Sequence, residues 1–236
     1  MSEHLRKFDT IVPGVLTVCT YTEFAPFSYR ERGEIKASDI LLLKLFARKM
    51  GLDTNFIQKP FNGLWNTPGN DECDVAAAGM MDREERNLGK DGIWSRSYML
   101  VKRSLLVRRA DANILKGPND FIGRKIVVTP ESTAHIDANE RYLPIGVTII
   151  PVVPSQEEIV GQILNHAVDA FGEGNVSNEY LANKYVDQYG NPLLMLADIH
   201  EMEIPETLQF AIRSKDKRLA NCLNEFICRY KTSSNN

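Results

Sequence analysis

The chain has 236 residues, 43% of them hydrophobic and 25% charged, with 28 basic against 31 acidic side chains and a formal net charge of −3. A pI of about 5.9 and a mean hydropathy of −0.26 mark ordinary globular material, long enough for one large domain or two small ones. No run of like charge suggests a nucleic-acid arm or a polybasic membrane anchor, and no apolar stretch reaches the roughly 20 residues of a bilayer span.

The opening "MSEHLRKFDTIVPG" (1–14) has no apolar core of a signal peptide. This leaves either a cytoplasmic chain or a mature form without its leader. Strands and helices then alternate. "GVLTVCTY" (14–21) reads as the first strand, and "SDILLLKLFARKMG" (38–51) carries apolar residues at helical spacing. Ser38 or Asp39 is available as its N-cap and Gly51 as its stop. "DTNFIQKP" (53–60) and "CDVAAAG" (73–79) are the next strands, the latter expected to end at Gly79, and "SLLVRR" (104–109) follows.

After a polar segment with Gly117 and Pro118 a new unit begins: "GRKIVVTP" as strand, "STAHIDANERYL" as helix and "VTIIPVV" as strand. Ser155 and Glu158 then form a capping box for another helix. Strand "TLQFAIR" (207–213), helix "KRLANCLNEFICRY" (217–230) and a polar tail "KTSSNN" finish the chain. This repeated β-α-β order predicts an α/β fold with mostly parallel sheet.

Cys19, Cys73, Cys222 and Cys228 form no CxxC pair and have no zinc-like spacing with His4, His135, His166 or His200. They read as buried or half-buried small hydrophobes. Cys222 and Cys228, six residues apart on one helix, would lie on different faces, which disfavours a bridge between them. No metal and no cofactor is expected.

The stretch "DVAAAGMMDREERN" (74–87) turns from an apolar strand into clustered charge. Arg86 there is either a solvated surface charge or an arginine set at a strand end to hold an anion. Its sequence context favours the second. "LTVCTYTEFAPFSYRERGEIKASDILLLKLFARKMG", "FNGLW", "AAAGMMDREER", "GRKIVVTPESTAHI" and "AVDAFGEGNVSNEYLANKY" follow in the order of the corresponding segments of one family. Together they resemble the type II periplasmic solute-binding proteins, specifically the polar amino-acid-binding family. Each motif is weak alone, and the ordered set spans nearly the whole chain.

The resemblance implies two α/β lobes joined by two hinge strands, residues 1–104 with 206–236 and residues 105–205, closing on a ligand. It makes Arg86 the carboxylate-binding residue, since a guanidinium matches two carboxylate oxygens with parallel N–H donors. It makes Phe24 and Phe61 the rings that flank the ligand's aliphatic part. The Gly79 N–H is left as a second anion donor, and Ser132 and Thr133 at a helix start can donate hydroxyl and amide groups. Met81 replaces a serine of the family pattern, and Arg83 a threonine. The acidic residue that accepts an α-ammonium in the family becomes Gly174 here, with Glu173 one position earlier. Phe27 and Tyr29 read as packing residues, and Asp39 as a helix-end residue.

The function implied is a solute-binding protein that clamps an amino acid or small carboxylate for an ABC importer. It would be a monomer, periplasmic if a leader is removed, with a permease as partner and no nucleic acid. One alternative is an enzyme resembling cyclohexadienyl dehydratases, with Glu173 as general acid. Another is a sensor or binding module without transport. No GxSxG, HExxH, P-loop or complete GxGxxG motif points to catalysis.

Overall fold

The computed structural model describes residues 8–153 and 155–234, with side chains to residue 231. The first elements are β1 (Val15–Thr20), β2 (Glu23–Phe24), β3 (Ser28–Glu31), β4 (Glu34–Lys36), α1 (Ser38–Met50), β5 (Asp53–Gln58), β6 (Val75–Met81), β7 (Gly92–Trp94) and β8 (Met99–Val101). Then come β9 (Arg103–Arg108), β10 (Lys125–Val128), α2 (Thr133–Arg141), β11 (Thr148–Pro151), α3 (Gln156–Leu164) and β12 (Ala170–Gly174). The chain ends with α4 (Asn175–Lys184), β13 (Leu194–His200), β14 (Glu206–Arg213) and α5 (Lys217–Ser234). It divides into two compact units, Met1–Leu100 with Thr207–Asn236, and Val101–Glu206.

The first unit is built on a sheet of order β5-β1-β6-β14-β7, with β8 also paired to β14. β1 runs parallel to β5 and β6, whereas β14 is antiparallel to β6 and β7. Period-2 alternation sorts its side chains. Leu16, Val18, Val75 and Ala77 join Leu43, Phe46, Leu219, Leu223 and Ile227 in one core. Cys19, Tyr21, Ala76, Ala78 and Met80 join Phe61, Leu64 and Trp65 in the other. The sheet is thus covered on both faces. β2, β3 and β4 form a small antiparallel sheet of their own.

The second unit has the order β11-β10-β12-β9-β13. β10 is parallel to β11 and β12, and β9 is antiparallel to both β12 and β13. Leu105 and Val107 face a core with Phe121, Ala134 and Tyr142, while Leu106 faces Ile159, Val160, Ile163 and Phe171. Such two-sided burial explains the three successive apolar residues Leu105, Leu106 and Val107 within "SLLVRR".

The fold class is the expected α/β, with two differences in detail. The sheets are mixed rather than mostly parallel, because β9 and β14 enter each sheet against the direction of its βα strands. And β6 does not end at Gly79. Its register against β14 shifts between Gln209 and Ala211, Ala78 and Gly79 take positive φ (148° and 55°), and the strand resumes through Met81. The glycine marks a bulge that re-aims the strand end.

Helix α1 is capped by Ala37 without a side-chain hydrogen bond, so neither Ser38 nor Asp39 is the N-cap. Gly51 does stop it, in the left-handed region with its N–H turned to Ala47 and Arg48. The Ser155–Glu158 capping box forms as expected. The tail is helical through Ser234, so only residues 235–236 of it, like residues 1–7 and His4, lie outside the described residues. All four cysteines are free, Cys19 and Cys73 buried and the other two half-buried. Among the described residues no helix is long and apolar enough to cross a membrane, and no cluster could hold a metal.

Candidate functional site

In the first unit the expected residues gather around the end of β6. Arg86 is buried despite its charged neighbours, with 7% of its surface exposed. Its Nη1 donates to the Met81 carbonyl at 3.0 Å. The guanidinium carbon lies 5.6 Å from the centre of the Phe61 ring and 4.9 Å from that of Trp65. Phe61 and Trp65 meet edge to face at 5.9 Å, and Tyr21 adds a third ring at 5.8 Å from Phe61. This aromatic wall attracts the guanidinium through the ring faces and lowers the dielectric around it. Trp65 was not among the residues expected from sequence, although it stands in the same "FNGLW" loop.

Phe24 packs on Phe27, ring centres 5.1 Å apart, and both press on Gly79. A Cβ on Gly79 would come within 2.5 Å of Phe24 Cε1 and 3.0 Å of Phe27 Cδ2. Glycine is therefore required twice there, by the positive φ and by the close approach. Phe27 is core, as expected. Met81 is buried and serves Arg86 through its carbonyl. Arg83 is half-buried and pairs with Glu85 at 3.4 Å.

The Gly79 N–H is not open to a ligand anion, which corrects one expectation. It donates to Asp39 Oδ2 at 2.9 Å, and Tyr98 Oη donates to the same oxygen at 2.7 Å. Asp39 is wholly buried, and Oδ1 has no hydrogen-bond partner among the described residues. Burial pushes its carboxyl up to about 7, against the lowering effect of the Gly79 and Tyr98 hydrogen bonds. Far from being a simple helix-end residue, Asp39 ties α1 to the bulge of β6.

In the second unit Ser132 caps α2, its Oγ accepting the His135 N–H at 3.1 Å. Thr133 Oγ1 gives its one proton to Glu206 Oε1 at 2.8 Å, so its hydroxyl is not the open anion donor expected from sequence. Glu173 is the last residue but one of β12, where Oε2 accepts the Gly174 N–H at 2.8 Å and lies 3.4 Å from Arg103 Nη1. Burial raises the Glu173 pKa, and the Arg103 charge opposes that rise. Arg103 and Glu206 were missed by sequence reasoning. The only signal was an arginine opening an apolar strand, and the register that sets Arg103 opposite Gly174 is not local.

Residues 16–235 match the family described as bacterial extracellular solute-binding proteins, family 3, and the chain belongs to that family. It is thus a solute-binding protein by family. A probable histidine-binding protein of Campylobacter jejuni subsp. jejuni is 26% identical over 113 residues, 48% of this chain and 43% of that protein. The match therefore spans less than half of that relative.

Among solved structures, the amino acid ABC transporter substrate-binding protein AbpA from Streptococcus pneumoniae, bound to L-arginine, superposes with a TM-score of 0.77 at 22% identity. That likeness covers 94% of this chain and 90% of the other. An ancestral arginine-binding protein bound to arginine gives 0.78 at 24% identity, covering 94% of each chain. These likenesses establish the type II binding-protein fold.

Proposed function

We propose that this chain binds a small carboxylate solute, an amino acid or a close relative, and presents it to an ABC importer permease outside the cytoplasm. The two compact units are taken as the lobes of a hinged, monomeric binder. The observation that carries this reading is Arg86, a buried guanidinium laid against Phe61 and Trp65 at a strand end. A carboxylate is the partner that such a fork and such a low-dielectric setting favour. Phe61 and Phe24 are assigned to the solute's aliphatic part, and Ser132, Thr133 and Glu173 to the second unit's share of the site. Support comes also from the histidine-binding and arginine-bound relatives. The raised pKa of Glu173 has burial as its first cause and needs no catalytic role.

Thermal-shift screening against amino acids and small carboxylates tests the reading. A solute at about 100 times its Kd adds about 2.7 kcal/mol of stability. No shift with any amino acid, keto acid or dicarboxylate would overturn it.

A further inference from the structure

The second unit holds an arginine in an unusual position. Arg103 opens β9 opposite Gly174 and is 4% exposed, between Glu173 and Glu206 at 5% and 3%. Its Nη1 reaches Glu173 Oε2 at 3.4 Å. Its Nε lies 2.6 Å from Glu206 Oε2, an ion-pair contact whose angle makes no hydrogen bond. Among the described residues nothing hydrogen-bonds Nη2. That nitrogen points to the room left by Gly174, where a Cβ would come to 2.9 Å from it. Gly174 has φ −67° and ψ 146°, which any residue adopts, so the backbone does not demand glycine there. What the glycine leaves open is the space beside the guanidinium.

Nε is fully buried, whereas Nη2 is the end of the guanidinium that stays accessible, so its N–H pair is open to an acceptor from outside the core. Glu173 and Glu206, two carboxyl groups against one guanidinium, more than match the charge of Arg103, so the unused donor calls for an acceptor oxygen rather than another anion. A third carboxylate would stand against two others. We propose that Arg103 is a ligand-binding residue whose Nη2 donates to a neutral acceptor oxygen, keto or amide, of the solute. This rests on the solute-binding reading above and narrows the solute to a small carboxylate carrying such an oxygen. An ammonium or guanidinium at this point would set N–H against N–H.

Calorimetric titration of the full chain with L-glutamine and 2-oxoglutarate, which carry such an oxygen, against L-arginine and L-lysine tests the proposal. Gly174→Ala adds one methyl that meets Nη2 first and suits the backbone. It should weaken binding of the preferred acceptor-bearing probe by about ten-fold or more, with the ligand-free Tm within about 2 °C of wild type. Arg103→Lys, which keeps a cation between the two glutamates but lacks Nη2, should weaken it likewise. Unchanged affinity in both variants overturns the proposal. So does tighter wild-type binding of L-arginine or L-lysine than of either acceptor probe, since the solute's own N–H groups would then occupy the place of the proposed acceptor. A solute found in the wider screen that lacks any keto or amide oxygen overturns it too. Absence of every solute there would instead remove the reading on which it rests.

Discussion

Asp39 and Gly79, 40 residues apart in the chain, share a hydrogen bond of 2.9 Å that fastens α1 to the bulge in β6. The acceptor is a wholly buried carboxylate, and that fact makes the link sensitive to pH.

Burial raises the Asp39 pKa from 3.8 to about 7, so between these values the folded chain keeps a proton that the unfolded chain has lost. Stability from this group is full below about pH 4 and falls as pH rises through about 7. The total is at most about 4 kcal/mol, at 1.36 kcal/mol per pKa unit. Asp39→Asn should flatten the decline of unfolding free energy measured in urea between pH 5 and 7.5. Asp74, also raised by burial, is present in both proteins and cancels in the difference. Equal slopes for variant and wild type would refute this role.

Arg86→Ala should abolish carboxylate binding, because a buried carboxylate without its partner loses on the order of 2–5 kcal/mol. Arg86→Lys should restore only part, as an ammonium cannot reproduce the fork. Titration calorimetry decides it, and wild-type affinity in the alanine variant would return Arg86 to a purely structural role.

Gly79→Ala combines a φ of 55° with a methyl 2.5 Å from Phe24 Cε1. A loss of about 1–3 kcal/mol is expected from the backbone alone. Adding Phe24→Leu should recover the steric part but not the backbone part. A melting temperature unmoved by Gly79→Ala would mean that the bulge relaxes freely.

Ser155→Ala removes the oxygen that accepts the Glu158 N–H at 3.2 Å at the start of α3. The loss should be about 1 kcal/mol, with solute affinity unchanged. A change in affinity would show that α3 reports to the binding site.

The elements followed from local pattern. The β-rich run of β1, the apolar run of β6, the i, i+3, i+7 spacing of Ile40, Leu43 and Ala47, and the Ser155–Glu158 box all act over a few residues. Strands β12 and β13 (Leu194–His200), helix α4 and the short strands β2–β4, β7 and β8 were not read from local pattern, because two- to four-residue pairings carry little periodicity and an apolar run as short as Leu194–Ala197 does not tell strand from helix.

Of the site, position in an ordered motif singled out Arg86, Phe24 and Phe61. Their burial and ring contacts came from the folded chain. The occupancy of the Gly79 N–H by Asp39 and the guanidinium beside Gly174 were decided by tertiary structure alone. Each joins residues that meet through strand register or helix placement, across separations of 40 to about 70 residues. A sequence states which donors and acceptors a chain owns. Which of them satisfy one another is settled only when burial removes water as the competing partner.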